Sequence, residues 1–507
     1  MTAVIEEKQP RVFMKGIVKR FPNVVANHEI DFRILKGEIH SVLGENGAGK
    51  TTLMNLLSGL YKPDAGEIFV DGHKVSFRSP RDALDHGIGM IHQHFQLVNN
   101  FSVAENIVLG MPGPVNLDIT SISKSVDELS NRYGLAIDSR SRIWELSVGE
   151  QQRVEILRML YRNIEIFIMD EPTAVLAAQE IERLFNVMRL IKNEGRSVIF
   201  ITHKLEEVLE ISDYITVLRR GKIMSTVRPE KVRKKDVNVS RELARMMVGR
   251  EVILEIGKES CRKDKPLLDV EHLSVRGDRG EPAVKDISFS INVGEIFAIL
   301  GVAGNGQREL VEALVGLRPI DNGKVLLDGA DISAGFERLG YIPEDRNERG
   351  SVPDMRVHEN FALTGRDRFT IGPLMRWKTV ADEARQNVED FNIAAPSIDM
   401  KARQLSGGNL QKLILAREFS QQPFLLIAEQ PTRGLDIGAT EEIWKVILKH
   451  REKGGILIVS GDLKEVLSLA DTIMVIFRGQ VMDIISCKDD EGIADIGPLM
   501  AGVRRKQ

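Results

Sequence analysis

Residues 44–53 read GENGAGKTTL, and residues 301–310 read GVAGNGQREL. Each follows a short apolar run, IHSVL at 39–43 and IFAIL at 296–300, and each spaces three glycines where a strand should turn into a helix. In the first stretch the glycines let backbone N–H groups close around a phosphate, and the helix N-terminus adds a positive dipole. Lys50 can neutralise the β- and γ-phosphates, and Thr51 offers a hydroxyl to a divalent cation. Gly44, Glu45, Asn46, Gly47, Ala48, Gly49, Lys50, Thr51 and Thr52 therefore form a complete phosphate-binding loop. The second stretch keeps the glycines but holds Gln307 and Arg308 in place of the lysine and threonine.

The two stretches belong to a longer repeat. Residues 36–72 align with 293–329 without a gap, and about 15 of 36 positions are identical from the shared Gly-Glu-Ile onward. The register continues: GMIHQ (89–93) matches GYIPE (340–344), LSVGE (146–150) matches LSGGN (405–409), and FIMDEPTAVLA (167–177) matches LIAEQPTRGLD (426–436). The chain is thus two copies of one domain, expected at 1–250 and 251–507, with a charge-rich join between about 220 and 265. The charge-rich segment follows a hairpin-like stretch, ITVLRRGKIMSTV, and should contain a short helix, SRELARMMVG. Within each copy, buried strands alternate with helical patterns, which predicts an α/β fold with a mainly parallel sheet and ligands outside the strand carboxyl ends.

Composition is that of a globular protein, with 43% hydrophobic and 28% charged residues. A formal net charge of -4 argues against a dedicated nucleic-acid binder, and the basic runs at 231–235 and 504–506 read as solvated segments. Two cysteines, Cys261 and Cys487, suggest neither a disulfide framework nor a zinc site. No secretory signal is expected in MTAVIEEKQPRVF, and the apolar runs fall well short of the roughly 18 residues of a membrane span.

Further chemistry falls at the ends of the expected strands. Asp170 closes the apolar run IEIFIMD and can hold a magnesium shell, while Glu171 beside it is placed to orient and deprotonate a water. His203 closes SVIFITH, where an imidazole could stabilise a γ-phosphate in the transition state. Gln93 could reach the metal or the water, whereas His92 and His94 read as packing or surface groups. Phe21 is open to two readings, stacking on adenine or ordinary core. A dinucleotide-binding enzyme is excluded by pattern, since GVAGNG is G-x-x-G-x-G and the first loop carries a lysine.

The order GENGAGKT, Gln93, LSVGE, MDEPT and His203, repeated as GVAGNGQR, Glu344, LSGGN, AEQPT and Gly461, resembles the ATP-binding subunits of ABC transporters. More narrowly it is similar to the tandem ATPase subunits of bacterial importers for simple sugars and nucleosides, with HQHFQLV, VAENIVLG and EPTAVL closest to the nucleoside branch. The resemblance implies two tandem P-loop ATPase domains, each with a mainly parallel sheet core, an antiparallel β part and a helical subdomain. It also implies ATP and Mg2+ as cofactors, two transmembrane permease subunits and an extracytoplasmic binding protein as partners, and a peripheral place on the cytoplasmic face of the membrane. A ribose- or galactose-type sugar importer ATPase is the alternative within the family, and a soluble tandem ATPase acting as a switch is the alternative from another class.

The family's head-to-tail pairing, taken within one chain, would sort the motifs into two sites. One combines Lys50, Thr51, Gln93, Asp170, Glu171 and His203 with Ser406, Gly407, Gly408 and Asp436, and every element is present. The other combines Gln307, Arg308, Glu344, Glu429, Gln430 and Gly461 with Val148 and Ala177, and nearly every element is altered. Glu429 keeps a carboxylate there, so nucleotide binding at the second site stays open.

Overall fold

The computed structural model describes residues 9–22, 24–93, 95–112, 118–174, 176, 178–229, 237–250, 261–302, 304–332 and 339–503. His94, Ala177 and the basic runs at 231–235 and 504–506 lie outside the described residues. The chain divides into two compact units. The first runs to Val252 and takes in Asp436–Gly438; the second holds the remainder.

In the first unit the apolar runs become a six-stranded sheet. Its order is Lys222–Val227, Tyr214–Arg219, Ile39–Leu43, Ser197–Thr202, Ile166–Asp170, Ile88–Ile91. Five strands are parallel, and the edge strand Lys222–Val227 returns antiparallel as the hairpin expected from ITVLRRGKIMSTV. Every residue of Ile39–Leu43, Ile166–Asp170 and Ser197–Thr202 is buried, as continuous apolar strands covered on both faces must be. A separate antiparallel sheet, ordered Val24–Ile34, Val12–Phe21, Ala65–Val70, His73–Val75, carries the alternating pattern of strands buried on one face. Helices Val103–Val108, Ile119–Arg132 and Val148–Tyr161 form the helical part, and the join contains the expected short helix as Val237–Val248.

The second unit repeats this plan. Its six-stranded sheet runs Leu339–Ile342, Leu425–Glu429, Gly455–Ser460, Ile296–Leu300, Thr472–Phe477, Gln480–Ser486, again with one antiparallel edge. The antiparallel sheet is Pro282–Asn292, Pro266–Arg276, Asn322–Leu327, Ala330–Asp331. Helices Val357–Phe361, Trp377–Asp390 and Gly407–Ser420 supply the helical part.

Both phosphate-loop turns have the same backbone. The last glycine before the helix is left-handed, with φ 100° at Gly49 and 99° at Gly306. A Cβ added at Gly49 would lie 2.3 Å from the Ala26 carbonyl oxygen, and one at Gly306 would lie 2.4 Å from the Ala283 carbonyl oxygen. Each glycine therefore meets two demands that only glycine satisfies, a positive φ and contact with a neighbouring strand. This is a folding reason for the second loop to keep its glycine whatever its ligand. Gly306→Ala should accordingly lower the stability of the second unit by at least about 1–3 kcal/mol, read from its denaturant-unfolding midpoint.

Candidate functional site

The loop between Leu43 and the helix Lys50–Leu57 brings the sequence-predicted residues of the first half together. Lys50 is only 6% exposed, and its Nζ donates to the carbonyls of Gly44 at 2.8 Å and Glu45 at 3.0 Å. Burial pushes its pKa down, against the opposing pull of the Glu171 and Asp170 carboxylates. A buried ammonium held mainly by carbonyl dipoles is poised to exchange them for a stronger anion. Asn27, fully buried, donates to the Gly49 carbonyl at 3.2 Å and so ties the loop to the antiparallel sheet.

Asp170 ends its strand 5% exposed, and the Thr51 hydroxyl hydrogen bonds to it. Burial raises the Asp170 pKa, with Glu171 adding repulsion, while the Thr51 bond and Lys50 oppose the rise. A hydroxyl and a carboxylate already in contact at the loop's edge are the hard oxygen donors that Mg2+ takes, so these residues fit that ion. Glu171 follows in the left-handed region at φ 47°, a strained setting that turns its carboxylate toward the site. His203 Nδ1 lies 3.0 Å from Glu171 Oε1, and the Gln93 amide donates to Glu171 Oε2 at 3.4 Å. Burial pushes the Glu171 carboxyl up, but the His203 bond and the charges of His203, Lys50 and Lys204 outweigh it and leave it below the ordinary glutamate value. An ionised carboxylate oriented by a histidine suits the acceptance of a proton from water. Phe21 is not core: it is 38% exposed, with its ring edge-on to Tyr61 at 5.6 Å.

The second half arranges the equivalent positions differently. Gln307 occupies the lysine position, 8% exposed, and closes the loop on itself. Its Nε2 donates to the Val302 carbonyl at 3.0 Å, and its Oε1 accepts the Asn305 backbone N–H at 3.1 Å. One N–H of the cradle is thereby engaged by a neutral amide of the same loop. Arg308 turns to the surface, paired with Asp278 and, at 3.6 Å, with Glu312. Glu429 accepts the Tyr341 hydroxyl at 2.7 Å, and burial pushes its pKa up although that bond opposes the rise. Gln430 donates to Glu344 at 3.1 Å and shares the left-handed backbone of Glu171, at φ 42°.

The two signature segments each begin a helix capped by serine. The Ser147 hydroxyl accepts the Glu150 N–H, and the Ser406 hydroxyl accepts the Asn409 N–H. Val148 is 47% exposed on the first turn, where Gly407 stands in the other copy.

Tyr341 and Asn27 escaped the sequence reading. Tyr341 could have been found by comparing copies, because a hydroxyl stands in a strand where Met90 is its counterpart. Asn27 carries no comparable signal, since its partner is a backbone carbonyl distant in sequence.

This pair of nucleotide-loop folds, one with its full charge set, matches the family model described as ABC transporter over residues 27–174 and 284–433. The chain belongs to the ABC transporter family, as one of its ATPase components. It is 43% identical to the guanosine import ATP-binding protein NupO of Bacillus subtilis over 97% of this chain and 98% of that protein. It is 42% identical to the glucose import ATP-binding protein TsgD13 of Haloferax volcanii, covering 94% of this chain and 93% of that protein. Among solved structures, archaeal ribosome recycling factor aABCE1, in complex with ribosomal stalk protein aP1, matches with a TM-score of 0.63 and 20% identity over 95% of this chain and 92% of that one. That last likeness concerns the fold alone.

The Glu429 environment has a measurable consequence. Because burial raises its folded pKa, the stability that Glu429 contributes is fully present below the unfolded carboxylate value of about 4.3 and is lost as pH rises through the folded value. Glu429→Gln removes that titration, so the melting temperature of the variant minus that of the parent should be larger at pH 8 than at pH 5.

Proposed function

We propose that this chain energises import of a nucleoside or simple sugar, hydrolysing ATP at the phosphate loop of its first half. The observation that carries the reading is the unequal fate of two loops with one backbone. Lys50 is a buried cation among carbonyl oxygens, whereas Gln307 is a neutral amide bonded within its own loop. The substrate class is drawn from the two full-length relatives, one named for import of guanosine, a nucleoside, and one for import of glucose.

In the proposed reaction Lys50 releases the Gly44 and Glu45 carbonyls and turns its ammonium to the β- and γ-phosphates. The backbone N–H groups of residues 44–52 surround the same oxygens. Glu171 accepts the proton of the attacking water, held in place by His203 and by Gln93. Phe21, exposed at the end of its strand, stacks on adenine. Mg2+, which Thr51 and Asp170 would hold with Gln93 beside them, neutralises phosphate charge when bound. By the sequence argument above, Ser406, Gly407, Gly408 and Asp436 are the second half's contribution to this same ATP. Two permease subunits and an extracytoplasmic binding protein complete the transporter, with this chain peripheral on the cytoplasmic side.

Steady-state ATPase measurements on the assembled complex test the assignment. Lys50→Ala and Glu171→Gln should each lower turnover by at least about a hundredfold, as loss of a phosphate clamp or a base does. Gln307→Ala should change it little. Comparable damage from all three would exclude a single working loop.

A further inference from the structure

The second half holds a cluster that neither the nucleotide loop nor the fold explains. Arg346, two residues beyond Glu344, is half-buried and reaches two backbone segments at once. Its Nη1 donates to the Gly407 carbonyl at 3.3 Å, in the first turn of the helix Gly407–Ser420, and its Nη2 donates to the Arg433 carbonyl. The Arg433 side chain pairs in turn with Glu344, which also accepts the Gln430 amide at 3.1 Å. One guanidinium thus ties the signature turn to the loop that leads from Gln430 to Asp436. The planar fork of arginine suits such a bridge, because it holds two donors at a fixed spacing.

The segment carrying Arg346 is built to hold it still. The Asp345 side chain caps the N–H groups of Asn347 and Glu348, both at 2.9 Å, and the Ser351 hydroxyl donates to the Arg346 carbonyl at 2.7 Å. Gly350 packs so closely that an added Cβ would lie 2.7 Å from Ile414 of the signature helix. At the other end, a Cβ at Gly407 would lie 3.1 Å from Arg346 Nη1, so glycine there leaves room for the guanidinium to close down.

The first half has different residues at the three positions that make this bridge. Phe95 stands at the Arg346 position, Ala174 at the Arg433 position and Val148 at the Gly407 position. The clamp accompanies the intact signature and is missing beside the altered one. We propose that Arg346 is a positioning residue for ATP hydrolysis, fixing the signature turn of Ser406, Gly407 and Gly408 against the loop that carries Asp436. This rests on the assignment of those residues to the working site made above. Arg346 acts by setting the spacing of two segments that meet the nucleotide, so its loss should impair turnover more than binding.

The test is ATP turnover of the assembled complex with Arg346→Ala and Arg346→Lys, alongside Glu348→Ala on the exposed side of the same turn. For Arg346→Ala, kcat should fall about tenfold to a hundredfold, as misplacement of a group by about 1 Å does, with KM for ATP little changed. Arg346→Lys should recover part of the loss, since one ammonium can serve one carbonyl but lacks the fork, and Glu348→Ala should behave as the parent. If Arg346→Ala melts the second half, Arg346→Lys with a parental melting temperature decides: a lower kcat at constant KM supports the proposal, and an unchanged kcat overturns it. A loss confined to KM also overturns it. Lys50→Ala in the same assay separates the two ideas. Turnover surviving that change would remove the working-site assignment itself, whereas turnover lost there but parental in both Arg346 variants would remove only this inference.

Discussion

The buried ammonium of Lys50, held by the carbonyls of Gly44 and Glu45, is the contact on which the functional account depends. A cation so enclosed is costly unless its partners compensate, and burial does depress its pKa. The surroundings answer with carboxylates at Asp170 and Glu171 and with a glycine turn that could not tolerate a side chain. The parallel strands Ile39–Leu43, Ile166–Asp170 and Ser197–Thr202 place the lysine loop, the acids and His203 at their carboxyl ends, so the sheet order itself assembles the site.

The second copy shows what remains when that cation is absent. Its loop backbone is preserved, and Gly306 meets the neighbouring strand as Gly49 does in the first copy. Gln307 then satisfies the cradle from within, Arg308 joins a surface ion-pair cluster, and Glu429 is capped by Tyr341. Each replacement gives a polar group a local partner. The same half carries the signature segment with its glycines, and beside it the Arg346 bridge.

Much of this was legible in the sequence. The repeat, the strand ends and the identities of Lys50, Asp170, Glu171 and His203 follow from spacing, because glycine turns and apolar runs constrain the backbone locally. The inward fold of Gln307, the Tyr341 cap and the Arg346 bridge were not legible. They depend on which of several rotamers a long side chain adopts and on partners up to 88 residues away in the chain. Phe21 was ambiguous for a related reason: an aromatic at a strand end can pack inward or outward, and only the surrounding elements decide that it is exposed.

The most direct measurement is the number of ATP molecules bound per chain at saturation, in the presence of Mg2+, by the assembled complex carrying Glu171→Gln to prevent turnover. Adding Lys50→Ala should remove one ATP per chain, because Lys50 is the charge that grips the nucleotide at the working loop. A count unchanged by Lys50→Ala would contradict the account.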